Sequence, residues 1–150
     1  MMTNPALAEL QFLTGAWDME LSGASFLPDP DTTVRGSVIF EWIEQGAALV
    51  MRMGNPATPT ATWIIGRDDS EPGYQVLYAD GRGVSRVYQM SLEDRTWRIW
   101  RDTPEFSQRF DAEVGAGQAE ISGSWRKSVG GRTWEHDFNV RYIRPAAAVS

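Results

Sequence analysis

Two-residue alternation constrains this chain more than any other feature, and it is clearest from Thr133 to Arg144, TWEHDFNVRYIR. Trp134, His136, Phe138, Val140 and Tyr142 fall on one face, and Glu135, Asp137, Asn139 and Arg141 on the other. Successive side chains of a strand point to opposite faces of its sheet, so this segment reads as a strand with one buried and one wet side. The pattern recurs along the chain. Strands are predicted at Gly15 to Ser22, Thr33 to Glu44, Ala47 to Met53, Thr60 to Arg67, Gly73 to Asp80, Val84 to Ser91, Thr96 to Arg101, Phe106 to Glu113 and Gln118 to Lys127. Between them lie polar turns and loops rich in Gly and Pro, such as Gln45-Gly46, Gly81-Arg82-Gly83, Glu93-Asp94-Arg95 and Gly130-Gly131.

These connections are too short for the crossovers that parallel strands need. About ten short antiparallel strands are expected, arranged as an up-and-down β-barrel or a sandwich. Closure is favoured because an open sheet of that size leaves two long edges free to aggregate. Pairing the strand at Gly15 to Ser22 with the last one removes both edges. A barrel of that width tends to leave interior space for a ligand or water. One helix is expected, about residues 5–13. Asn4 can cap it, Pro5 suits its first position, and Leu7, Leu10 and either Gln11 or Leu13 supply a rough helical stripe. The expected layout is one domain, with the helix at about 5–13, the barrel at about 15–144 and a short frayed tail.

Composition narrows the function classes. The 150 residues include seven tryptophans, spread over most of the strands, which suits either a large aromatic core or a ring-walled cavity. There is no cysteine, so disulfides and thiolate metal sites are excluded. The net charge of -6 argues against nucleic acid as a partner. No apolar run has the length of a membrane helix, and the opening MMTNPALAELQFL lacks the basic and apolar regions of a secretory signal. A cytoplasmic location and no membrane insertion are the expectations. The sequence holds no nucleophile elbow, P-loop, His-Glu-x-x-His helix or dinucleotide fingerprint. Asp68-Asp69-Ser70-Glu71 reads as a solvated turn, without the glycine and spacing of a calcium loop.

The stretch Leu10-Gln11-Phe12-Leu13-Thr14-Gly15-Ala16-Trp17 resembles the helix, Gly-x-Trp and first-strand entry of the calycin superfamily, which includes lipocalins, fatty-acid-binding proteins and nitrobindins. YADGRGVSRVYQMS, FSQRF and GRTWEHDFNVRYIR resemble an uncharacterised bacterial branch described as lipocalin-like or fatty-acid-binding-protein-like. The resemblance covers nearly the whole chain. It implies a calycin-like barrel in which Gly15 turns the corner and Trp17 closes one end.

Two sets of candidate site residues follow. His136 is the only histidine and shares the alternating face of Trp134, Phe138 and Tyr142. Nitrobindins hold haem through an inward histidine on a late strand, so the resemblance makes His136 a candidate axial ligand should haem bind. The first strand departs from that pattern, reading Asp18-Met19-Glu20-Leu21-Ser22 where nitrobindins are glycine-rich. Glu135 and Asp137 point away from His136 on a regular strand, so the three are not a local acid-base cluster. The second set is Arg86-x-Tyr88 with Arg98-x-Trp100 on adjacent strands. Residues two apart share a face, and fatty-acid-binding proteins use interior Arg and Tyr to hold a carboxylate. Arg86 lies on the more apolar face with Val84, Tyr88 and Met90, and Arg109 competes for the same role.

The leading expectation is non-covalent binding of a small apolar or amphipathic molecule inside the barrel. Arg86, Tyr88 and His136 would orient it, with Arg98, Trp100 and Tyr142 as further wall residues, and no metal or other cofactor would take part. A haem protein acting on nitrogen oxides is one alternative. The other is a filled barrel acting through self-association, as a homodimer, by its exposed aromatics.

Overall fold

A computed structural model of the chain describes residues 4–25, 29, 31–55, 58–68 and 70–146. The C-terminal tail expected to fray lies almost wholly outside these residues, as does most of the Pro-containing segment after the first strand. Ten strands form a closed antiparallel barrel in which each pairs with its sequence neighbours and the first pairs with the last. They are β1 (Gly15–Ser22), β2 (Val34–Ile43), β3 (Ala48–Asn55), β4 (Thr58–Gly66), β5 (Tyr74–Asp80), β6 (Ser85–Glu93), β7 (Thr96–Arg101), β8 (Phe106–Val114), β9 (Glu120–Val129) and β10 (Glu135–Ile143). The closing register runs from Asp18 opposite Ile143 to Ser22 opposite Asn139. No strand edge is left unpaired, as the expectation of closure required.

The N-terminal helix, Pro5–Leu13, is a 3-10 helix. Its three leucines explain the winding. Leu7, Leu10 and Leu13 recur every third residue, which is the 3-10 period, and all three are fully buried. Asn4 caps it by accepting a hydrogen bond from the Ala6 N–H at 3.0 Å. At its other end Trp17 Nε1 donates to the Leu13 carbonyl at 2.8 Å. Tyr74 on β5 donates its hydroxyl to Glu9, which ties the helix across the barrel. The helix thereby plugs the end at which β1 starts and β10 finishes.

Arg144 completes the plug. Its guanidinium lies 3.9 Å from the centre of the Trp17 ring. It donates to the carbonyls of Phe12 and Thr14 at 2.7 Å each and of Ala16 at 2.9 Å. Those carbonyls belong to the helix end and the first strand, where intrahelical partners run out. Gly15, at φ +102°, lets the chain turn there, and a Cβ in its place would stand 3.1 Å from Arg144 Nη1.

The opposite end carries the β5–β6, β7–β8 and β9–β10 turns. Between mouth and plug the interior is occupied by rings. Phe40, Trp97 and Phe110 meet at 6.5 and 5.3 Å between centroids, and Trp125 stacks on Phe110 at 5.2 Å. The lower barrel is therefore a packed aromatic core, and the room for a ligand lies at the mouth.

β10 departs from the alternation at a single residue. Its register against β9 shifts between His136 and Phe138, a β-bulge at Asp137. From Phe138 onwards the inward residues are those expected, with Val140 and Tyr142 buried. Before the bulge the faces exchange. His136 pairs with outward-facing Arg126, is exposed, and has Nε2 3.2 Å from the Gly23 carbonyl oxygen.

A candidate ligand site at the barrel mouth

On β6 the alternation places Arg86, Tyr88 and Met90 inward, with Val87 61% exposed on the outside. β8 faces them with Phe106, Gln108 and Phe110 on its inward side. β7 contributes Trp97, Ile99 and then Arg101. Three strands thus deliver two guanidiniums, a phenol and an amide to the end opposite the plug.

The polar groups share one acceptor. Gln108 Oε1 accepts from the Tyr88 hydroxyl at 2.5 Å and from Arg86 Nη1 at 3.5 Å. Arg86 also lies over the Phe106 ring, 4.8 Å from its centre, a contact that holds the guanidinium plane without using its donors. Arg101 Nη2 donates to Thr103 Oγ1 at 3.3 Å, whereas Arg101 Nε is buried with no acceptor among the described residues. No carboxylate among the described residues forms an ion pair with Arg86 or Arg101. Burial pushes the Tyr88 hydroxyl above its ordinary pKa, and the nearby charges of Arg86 and Arg101 pull it part of the way back. Arg86, Arg101, Thr103, Pro104, Glu105 and Phe106 line a pocket of about 470 Å³. That volume lies within the ordinary range of small-molecule sites.

Tyr88 also belongs to a cluster of four rings in the barrel interior, none of which lines that pocket. Trp63 stands 4.7 Å from Tyr78, 5.2 Å from Tyr88 and 5.9 Å from Trp125, and Tyr88 stands 6.0 Å from Trp125. The separations are those of tilted and edge-to-face pairs, so the cluster is a rigid apolar surface. To one side, Asp80 is occupied internally, accepting from Tyr78 at 2.6 Å and from Arg82 Nη2 at 2.7 Å. Lys127, opposite Gln108 in register, is 3.5 Å from Asp137. Among the described residues neither Arg86 nor Arg101 forms an ion pair, although Glu105 lines the same pocket.

Of the residues expected from sequence, the structure brings Arg86 and Tyr88 together and separates the rest from them. Arg98 and Trp100 are on the outer face, because β7 turns Trp97 and Ile99 inward; Arg98 pairs outside with Asp111 at 3.0 Å. Arg109 is also outward, 4.2 Å over the Trp134 ring. Tyr142 is inward but sits in the plugged half beside Trp97, at 6.1 Å, where burial raises its pKa. His136 is outside, by the bulge. Arg101 and Gln108 are the participants that sequence reading overlooked. Counting by twos from Trp97 reaches Arg101, and from Phe106 reaches Gln108, so the periodicity contained both.

These features define a closed ten-stranded antiparallel barrel, plugged at one end and carrying at the other two arginines without an ion pair among the described residues, consistent with a calycin-like barrel. Among solved structures, the crystal structure of Rv2717c from M. tuberculosis superposes with a TM-score of 0.60 at 14% identity, over 96% of this chain and 99% of that one. At that identity the likeness is one of fold. No protein-family profile matches the chain, and no curated protein matches it.

Proposed function

We propose that the protein is a calycin-family carrier that binds a small amphipathic molecule reversibly at the barrel mouth. The ligand's anionic group lies between Arg86 and Arg101, and its apolar part rests against the Trp63, Tyr78, Tyr88 and Trp125 cluster. The observation that carries this reading is the pair of mouth arginines without a carboxylate partner among the described residues. Two guanidiniums that line one pocket repel each other and are poorly solvated when partly buried, so an oxyanion is a group that satisfies them. The packed rings towards the plug support a short ligand seated at the mouth over a long chain threaded through the barrel. The haem alternative rests on an inward His136, and the exposed position of that residue lends it no support.

Trp63 and Trp125 report binding directly. Titration of tryptophan emission with a medium-chain alkyl carboxylate is expected to saturate, and the alcohol of equal length to bind at least tenfold more weakly. Arg86→Gln and Arg101→Gln are each expected to reduce carboxylate affinity about 10- to 100-fold, the effect of losing a hydrogen bond to a charged group. Alkyl phosphate and sulfonate arms identify which oxyanion fits best. Equal affinity for carboxylate and alcohol, or an unchanged affinity in the double variant, removes the assignment.

A further inference from the structure

The outer wall of β7 to β9 carries a cluster of guanidiniums that the barrel mouth does not use. Register sets Trp100 opposite Arg109, Arg109 opposite Arg126 and Arg126 opposite His136, so one outward row crosses four strands. Arg98 and Asp111 face each other in the next outward row. Like charges directly opposite in a ladder repel, so the Arg109–Arg126 pair is destabilising unless an anion compensates it. The carboxylates present do so only in part. Asp111 is shared, 3.0 Å from Arg98 and 3.3 Å from Arg126. Asp102 comes no closer than 3.8 Å to Arg109, beyond hydrogen-bond length, and its side chain is 61% exposed. The Arg109 guanidinium sits 4.2 Å from the centre of the Trp134 ring, a contact that takes up none of its donors. Among the described residues those donors make no hydrogen bond. Arg98, Trp100, Arg109, Asp111 and Arg126 line a groove of about 390 Å³, within the range of small-molecule sites.

From this geometry we infer a second ligand site, separate from the mouth, that takes a phosphate monoester carried on a planar ring. The phosphate lies between Arg109 and Arg126, where its charge relieves the like pair. Three guanidiniums against two carboxylates leave the groove one positive charge in excess. The loosely held Asp102 gives way to a ligand, which leaves two positive charges for a dianion. Arg98, Arg109 and Arg126 come from three strands, and donors arriving from several directions suit the oxygens of a tetrahedral anion better than the two of a planar carboxylate. The ring lies against Trp100, which stands beside Arg109 in the row and lines the groove. The chain as a whole carries -6, so anions are repelled elsewhere and a local cationic excess decides where they dock. Mouth and groove lie on opposite faces of the same sheet, Arg101 lining the one and its neighbour Trp100 the other. Both can be filled at once.

Isothermal titration of the full chain with phenyl phosphate at about pH 7.5, where phosphate monoesters are largely dianionic, is the test. Saturable binding is expected, with a dissociation constant of ~10–1000 µM, at least about tenfold tighter than inorganic phosphate and weakened by added salt. Arg109→Gln and Arg126→Gln are each expected to weaken it about 10- to 100-fold. Trp100→Leu is expected to weaken phenyl phosphate and spare inorganic phosphate. All three side chains are on the outer face, and an unchanged far-UV spectrum with a thermal midpoint not lowered checks that the barrel is intact. In nitrogen-15 spectra the indole N–H signals of Trp100 and Trp134 are expected to shift on binding, and those of the interior Trp63 and Trp125 to stay. No binding at millimolar phenyl phosphate overturns the inference. So does binding that both arginine variants retain, or that moves the interior indoles alone and so places the phosphate at the mouth. Equal affinity for phenyl and inorganic phosphate overturns the ring-bearing ligand class.

Discussion

At the β5–β6 turn the Asp80 carboxylate accepts hydrogen bonds from Arg82 Nη2 at 2.7 Å, the Tyr78 hydroxyl at 2.6 Å and the Arg82 and Val84 backbone N–H groups at 2.9 and 3.3 Å. These bonds, led by those from Arg82 and Tyr78, hold the Asp80 pKa far below the usual carboxylate range. Burial and the bond to Asp80 push Tyr78 up to about 12. A carboxylate with a lowered folded-state pKa contributes stability that is present above its unfolded value, about 3.9, and lost as pH falls towards the folded one. The thermal midpoint of Asp80→Asn is therefore expected to lie below that of wild type at pH 7, and the two to converge between pH 4 and 2. Parallel curves in a melting series over that range would count against the role. The same turn was readable in advance, since Asp80-Gly81-Arg82-Gly83 carries its own geometry locally. His136 was not. One inserted residue at Asp137 exchanges the faces before it, and a bulge leaves no mark in a hydrophobicity pattern. Arg98 and Trp100 were misread for another reason. In Thr96 to Arg101 both faces carry a tryptophan, so alternation alone does not say which is inside; the side on which Ile99 packs decides it.

At the scale of elements, the plug is a short helix whose own hydrogen bonds are too few to hold it. A nine-residue 3-10 helix has poor intrinsic stability. Its position depends on the three buried leucines and on Arg144, which reaches from the end of β10 to three carbonyls and the Trp17 ring. Charge-assisted hydrogen bonds of this kind contribute about 1.5–3 kcal/mol each where buried, and less for a partly solvated group. Arg144→Ala is expected to lower unfolding free energy by about 2–4 kcal/mol in a denaturant titration. Arg144→Lys is expected to recover only part of the loss, because an ammonium cannot present a planar fork to several carbonyls while stacking on an indole. Full recovery by lysine would show that charge alone suffices. The helix was legible from Asn4, Pro5 and the leucines. Its winding was implied by leucines at every third position, and Arg144, seen only as the residue before Pro145, gave no local hint of a role realised more than a hundred residues away in sequence.

At the scale of the molecule, nine of the ten strand pairings join consecutive strands, and only β1 with β10 joins the two ends of the chain. Consecutive pairings close short loops. The β1–β10 pairing closes a loop of nearly the whole barrel, and its entropic cost is recovered only once the intervening meander has formed. Closure is therefore expected to follow the rate-limiting step, with β10 side chains making their native contacts late. Val140, 2% exposed and pointing into the barrel beside Gly123 on β9, is placed to report this. Val140→Ala removes about two buried methylene equivalents and leaves a small cavity, a loss of roughly 2 kcal/mol. If β10 docks after the transition state, nearly all of that loss falls on unfolding, whose rate rises about 20- to 30-fold while the folding rate barely changes. Ile99→Val, within the β6 to β8 meander, is expected to slow folding measurably for its smaller loss. Chevron plots of the two variants separate the cases. Slowed folding in Val140→Ala would mean that the ends meet early and that the barrel grows inward from its seam.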